Sequence, residues 1–355
     1  MKNEIKNGDT MIKRVIKDKV GIIYLDRPKV INALNLDMIR QIRQILEEWE
    51  NDCKIRVVLF DSLCEKGFCS GGDLKEVYYD YLLNEACNNK DEFFKKEFEL
   101  DKYLMTYKKP VISHWFGITM GGGIGLTIHS DLIITDETVN WAMPETRLGF
   151  VPDVAVGKNL SGLPQALGQY LGLCGESLGA SDLVEYGLCD YKINSKEYNN
   201  IIDNLFRLSN EYEEDRLVGE FRKVLEKYTD KEEISKIKPV KPIIDKYFSY
   251  ESLDKIIENL KNDIGNDFAS KTYENLSRRF PLMLAVQFKK YFICKNLTPQ
   301  QTIDLDYKIL NYAVKIGSME EGIRATLIDK DSKANWQVKN IEDVDYKEVD
   351  KILGI

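Results

Sequence analysis

Short apolar runs separated by polar turns dominate the first half of the chain. Val20-Gly21-Ile22-Ile23-Tyr24-Leu25 is a continuous apolar run stopped by Asp26-Arg27-Pro28, and it reads as a buried strand. Leu36, Ile39, Ile42, Ile45, Leu46 and Trp49 then recur at helical spacing and predict one apolar helix face. Val57-Val58-Leu59-Phe60, Val111-Ile112-Ser113-His114-Trp115, Leu132-Ile133-Ile134-Thr135 and Asn140-Trp141-Ala142 predict further strands, with a polar helical stretch over 84–107. This alternation predicts an α/β fold class.

From about residue 165 the period becomes helical. Leu217, Phe221 and Leu225 recur four apart, and Leu253, Ile256, Ile257, Leu260 and Ile264 form another face. Pro239 and Pro242 predict a break between helices. The expected organisation is a core over 12–195 followed by a helical C-terminal region over 196–355. Charge runs such as Glu213-Glu214-Asp215 read as solvated helix faces.

Composition narrows the function classes. The chain has 355 residues, 43% hydrophobic and 30% charged, which predicts a globular protein with a large core rather than disorder. A formal net charge of −8 argues against a nucleic-acid or membrane-surface binder but leaves room for an anionic small ligand. Seven cysteines with no Cys-x-x-Cys suggest neither a disulfide framework nor a zinc knuckle. The two histidines, His114 and His129, are too few for a multi-histidine metal site, and His129 reads as a packed helix residue. Residues 1–10 lack the character of a secretion or transit segment, and no run nears the ~20 apolar residues of a spanning helix. A cytoplasmic location is expected, with the mitochondrial matrix as the alternative in a eukaryote.

Two segments place glycines just after a strand: Phe68-Cys69-Ser70-Gly71-Gly72-Asp73-Leu74 and Gly117-Ile118-Thr119-Met120-Gly121-Gly122-Gly123-Ile124-Gly125. Without a Cβ, backbone N–H groups approach a ligand closely, and at a helix N-terminus they sit at the positive end of the dipole. Together the turns suit an oxyanion hole; singly, each is equally a tight turn. The Gly-x-Gly-x-x-Gly and phosphate-loop patterns both fail here.

Downstream, Glu145 and Asp153 stand eight positions apart, each after a proline, in an otherwise apolar segment. Acids in apolar surroundings are costly unless paired, hydrogen-bonded or protonated. Two carboxyls in one pocket divide into an ionised base or nucleophile and a protonated acid. The competing reading is that both close turns or cap helices.

Taken jointly, these segments resemble the crotonase (enoyl-CoA hydratase/isomerase) superfamily. The matching pieces are Asp26-Arg27-Pro28-Lys29 with Asn32-Ala33-Leu34-Asn35, Phe68 to Leu74, Gly117 to Gly125, and Pro144-Glu145. Within it the 3-hydroxyisobutyryl-CoA hydrolase branch is most similar, through Ala142-Met143-Pro144-Glu145-Thr146, Pro152-Asp153-Val154, the segment from Glu321 to Asp331, and Trp336. The likeness spans about 12–345 and is weakest over 195–270. It implies a spiral of ββα units with a helical C-terminal region. It also implies an acyl-CoA thioester substrate whose carbonyl is held by the N–H groups of Gly72 and Gly122.

By the same likeness, Glu145 is the catalytic carboxylate, as nucleophile or as base on water. Asp153 is its partner acid, and Glu97 a further substrate-contacting acid. The implied reaction is hydrolysis of a short 3-hydroxyacyl-CoA, such as 3-hydroxyisobutyryl-CoA in valine catabolism. No metal or redox cofactor is expected, coenzyme A being part of the substrate, and a homo-oligomer is compatible. The alternatives are an enoyl-CoA hydratase or isomerase, or a non-catalytic acyl-CoA binder. Hydratases resemble this chain but carry a second glutamate on the helix where it has Gly125, and tend to have glycine where it has Asp153. One departure is Ala155-Val156 after Pro-Asp-Val, where the hydrolase branch usually has glycines; their side chains are expected to narrow the acyl pocket. Arg27, Lys29, Lys66 and Lys75 flank the matching loops as candidate phosphate contacts, or as ordinary surface bases.

Overall fold

The computed structural model describes residues 11–84, 90–232, 234–263 and 265–355. Cys87, Ile264 and the 1–10 segment fall outside them. Eight strands form among the described residues: β1 (Ile12–Lys17), β2 (Val20–Leu25), β3 (Val57–Ser62), β4 (Val111–Trp115), β5 (Ile118–Met120), β6 (Leu132–Asp136), β7 (Asn140–Ala142) and β8 (Tyr191–Ile193). The main sheet has the order β1-β2-β3-β4-β6-β8, and β5 pairs with β7 in a small second sheet. Only the β1–β2 pair is antiparallel. Parallel strands need crossovers and coverage on both faces, which explains their continuous apolar runs.

The first helices are α1 (Leu36–Glu50), α2 (Leu74–Val77), α3 (Glu92–Leu104), α4 (Gly122–Gly125), α5 (Val156–Gly162), α6 (Gln165–Cys174) and α7 (Ala180–Glu185). Asn35 caps α1 by accepting from Met38 N–H at 3.0 Å, and the six predicted apolar positions, joined by Met38, are its buried face. In the units β4-β5-α4 and β6-β7, a main-sheet strand is followed by a short strand that carries the chain toward the site.

The later helices are α8 (Tyr198–Glu211), α9 (Glu214–Tyr228), α10 (Lys241–Phe248), α11 (Leu253–Asn262), α12 (Asp267–Ser277), α13 (Pro281–Cys294), α14 (Pro299–Lys315), α15 (Ser318–Ile323) and α16 (Tyr346–Leu353). Helices α8 and α9 cover one sheet face through Ile201, Leu205, Leu217, Phe221 and Leu225. The opposite face joins α1, α3 and α10 to α16 in one continuous core.

Several expectations change. Strand β8 lies inside the stretch read as helical, because three residues are too few for an alternation to show. The run Glu213-Glu214-Asp215 is largely solvated, as expected, and forms the N-terminus of α9, where Glu213 pairs with Arg56, and Glu214 with Lys109 at 3.1 Å. Acids at that end of a helix are favoured by its dipole. His129 sits in the turns after α4 rather than on a helix, and burial pushes its imidazole down to about 4. Among the described residues, no helix is long and apolar enough to cross a membrane.

Candidate active site

The two glycine turns lie against each other. Residues 68–72 run beside β5, with Met120 N–H donating to the Cys69 carbonyl at 2.9 Å and Cys69 N–H to the Ile118 carbonyl at 3.1 Å. A Cβ placed on Gly71 would stand 3.6 Å from Gly122 N, and one on Gly122 would stand 3.5 Å from Gly72 N. Gly121, at φ +50°, and Gly71, at φ +99°, hold conformations that glycine adopts without strain. Among the described residues, neither the Gly72 nor the Gly122 N–H donates to a protein acceptor. Both glycines line one cavity, shared with Glu97, Glu145 and Asp153. Its remaining walls are largely apolar, including Phe93, Phe94, Phe150 and Met319. All five residues expected at the site therefore meet.

Each acid is placed by a different element. Glu97 comes from the buried face of α3, among Phe93, Phe94 and Phe98. Its Oε1 lies so close to Gly122 that any Cβ at 122 would collide with it. Glu145 opens a 3-10 turn over Glu145–Leu148 that Gly149 ends at φ +67°. The C-terminal segment holds this turn: Ser318 Oγ donates to the Gly149 carbonyl at 2.9 Å, and Thr326 Oγ1 to the Arg147 carbonyl at 3.0 Å. The Trp336 ring packs so tightly on Gly149 that a Cβ there would meet it at 2.8 Å. Asp153 sits in the loop before α5, where the Asp153 carbonyl accepts from Val156 N–H at 2.9 Å.

The cavity's electrostatics are those of crowded, dry acids. Glu145 is 8% exposed and Asp153 6%. Burial first, then Asp153, pushes Glu145 well above the usual carboxylate range; burial, then Asp306, raises Asp153 to about 7. Burial and the neighbouring Asp101, Asp153 and Glu145 also raise Glu97. Two carboxyls in such a site share a proton. One oxygen each of Glu97 and Glu145 is buried without a hydrogen-bond partner, so both retain acceptor capacity for a ligand. Among the described residues, no cluster of three or more His, Cys, Asp or Glu is arranged to hold a metal ion.

Three further charged groups, not expected from the sequence, lie close to the acids without lining the cavity. Asp101 lies one turn beyond Glu97 on α3, with a buried, unpartnered oxygen. Lys290 of α13 and Asp306 of α14 are both 0% exposed and paired at 2.5 Å. The signal was a charge on an otherwise apolar helix face: Asp101 among aromatic residues, and Lys290 within Phe288-Lys289-Lys290-Tyr291. Such charges are seldom buried unless paired.

Two further expectations are corrected. Ala155 and Val156 are fully buried and do not line the cavity, so they do not narrow it; both pack into the core. Arg27 is not free for phosphate, since its guanidinium donates to Asp73 at 2.6 Å and to the Ala33 carbonyl at 2.9 Å.

Comparison with known proteins identifies the family. The sequence profile of the enoyl-CoA hydratase/isomerase family matches residues 20–353. A mitochondrial 3-hydroxyisobutyryl-CoA hydrolase from Xenopus laevis is 33% identical over 98% of this chain and 89% of its own. Among solved structures, an enoyl-CoA hydratase from Rhodobacter sphaeroides 2.4.1 superposes with a TM-score of 0.85 at 26% identity, over 97% of each chain. A carnitinyl-CoA dehydratase from Mycobacterium thermoresistibile gives 0.84 at 26% identity, over 97% of this chain and 96% of the other. With a matching profile over nearly its whole length and a shared fold, the chain belongs to the enoyl-CoA hydratase/isomerase family.

Proposed function

We propose that the protein hydrolyses the thioester of a short 3-hydroxyacyl-CoA, with 3-hydroxyisobutyryl-CoA the first candidate, giving the free acid and CoA. The observation that carries this reading is the pairing of Glu145 with Asp153 in one apolar cavity beside two unused glycine N–H groups. The thioester oxygen accepts from Gly72 and Gly122, each donor worth ~3–4 kcal/mol to the developing oxyanion. Water adds to the carbonyl carbon as Glu145 takes its proton, or the Glu145 carboxylate attacks first and water opens the resulting anhydride. The C–S bond breaks, and the sulfur takes the proton that Asp153 carries. The proton removed from water restores Asp153. Glu97, against Gly122, contacts the acyl group.

Hydration of an enoyl-CoA is the second reading, favoured by the likeness in fold to the enoyl-CoA hydratase from Rhodobacter sphaeroides. It needs a second carboxyl on the helix at position 125. Here a Cβ at Gly125 would stand 2.6 Å from Val154 Cγ2, so a side chain there requires Val154 to move. The curated relatives are named as mitochondrial proteins; the cytoplasm, or the matrix, is the compartment we propose. Thiol release from an acyl-CoA panel tests the reading, and loss of an enoyl band without thiol release would overturn it.

A further inference from the structure

Beneath the cavity, one buried ion pair grips the Asp153 loop on both sides. Lys290 Nζ is 2.5 Å from Asp306 Oδ1 and also donates to the Pro152 carbonyl. Asp306 Oδ2 accepts from Ala155 N–H at 3.0 Å. Between these anchors, Val154 and Ala155 have φ +49° and +63°, a region that residues with side chains avoid. That backbone directs the Asp153 side chain into the cavity and the Val154 side chain toward Gly125. A buried pair seldom stabilises a fold more than apolar side chains of the same shape, so folding alone does not account for it.

We propose that Lys290 and Asp306 are positioning residues for Asp153, fixing the loop that carries it and setting the electrostatic field at the acid pair. The groups facing Asp153 are Glu145 from its 3-10 turn, Glu97 and Asp101 from α3, Asp306 from α14 and Lys290 from α13. Lys290 is the one cation in that set. Its charge favours the ionised forms of Glu145 and Asp153, whereas Asp306 disfavours them.

The proposal rests on the thioesterase reading for its assay. The test compares Lys290→Met, Asp306→Asn and the double variant Lys290→Met/Asp306→Leu with the unsubstituted chain. In both single variants kcat falls ~10–100-fold while KM stays within about threefold, as expected for a misplaced acid. The bell-shaped pH profile moves to higher pH in Lys290→Met and to lower pH in Asp306→Asn, opposite directions that a structural role would not produce. The double variant recovers thermal stability but not kcat.

Profiles that stay put or move the same way overturn the proposal, as does a double variant with kcat within threefold of the parent. A double variant that cannot fold also overturns it, because the pair would then hold the fold rather than the loop. If the unsubstituted chain releases no thiol, the reaction assignment fails instead. The pair is then tested by the pH dependence of binding a non-hydrolysable CoA thioether, where the same opposite displacements are expected and their absence overturns it.

Discussion

Val154 occupies the space into which any side chain at position 125 would grow. A Cβ on Gly125 would stand 2.6 and 2.8 Å from the two Val154 methyl carbons. Gly125→Ala is therefore expected to destabilise the fold by ~1–3 kcal/mol, as overpacking does. Adding Val154→Ala should recover more than half of that loss, measured by denaturant unfolding. Gly125→Glu should abolish thiol release without creating hydratase activity. An unchanged midpoint in Gly125→Ala would show that the loop yields freely.

The acid pair is expected to account for most of the rate. Glu145→Gln and Asp153→Asn should each lower kcat/KM ~10²–10⁴-fold, with circular dichroism unchanged. Glu97→Gln should act mainly on KM, since the carboxyl touches Gly122 rather than the attacking water. Undiminished turnover in either of the first two variants would remove the assigned role.

The same acids should cost stability at alkaline pH. Asp153 titrates at about 7 in the fold against a usual 3.8. Because its folded value is raised, the fold is favoured below about pH 4, and this contribution is lost as pH rises through 7. Asp153→Asn should thus melt higher than the parent at pH 8.5, by on the order of a few °C, with the gap closing toward pH 4.5. A gap independent of pH would contradict the shift.

On the opposite sheet face, His114 lies between Asp61 at 3.3 Å and Asp136 at 3.5 Å. The Tyr198 ring of α8 stacks on it at 3.8 Å while its hydroxyl donates to Asp61 at 2.7 Å. Burial alone would push the imidazole down, but the two carboxylates raise it to about 8. Its contribution to stability is therefore complete below about pH 6.5 and is lost as pH rises through 8. His114→Gln should cost ~3–5 kcal/mol by removing the cation between two buried carboxylates. Its melting deficit should shrink between pH 6.5 and 9, and a constant deficit would count against a charged His114.

Much of this was legible in the chain. The runs Val20–Leu25, Val111–Trp115 and Asn140–Ala142 form strands with the predicted bounds, because buried parallel strands are written as continuous apolar runs. The glycine turns and the acids after proline each allowed a plain turn or cap reading, and it was the resemblance of the segments taken jointly that implied the one cavity they share. The rest depended on tertiary contact. Lys290 stands out as a charge on an apolar face of α13, but only the fold brings it and Asp306 of α14 under Asp153, because spacing along the chain cannot pair residues from two helices. Ala155, read as a pocket residue, turns into the core because the loop adopts a left-handed backbone, which no local pattern of Pro-Asp-Val-Ala announces. Strand β1 was missed because only Ile12 of its six residues is buried.

The most direct test of hydrolysis against hydration is a paired measurement on the purified chain: thiol release from 3-hydroxyisobutyryl-CoA, and decay of the enoyl absorbance of crotonyl-CoA. The expected result is rapid thiol release that Glu145→Gln abolishes, with the crotonyl-CoA absorbance unchanged. Rapid loss of the enoyl band without thiol release would contradict the account.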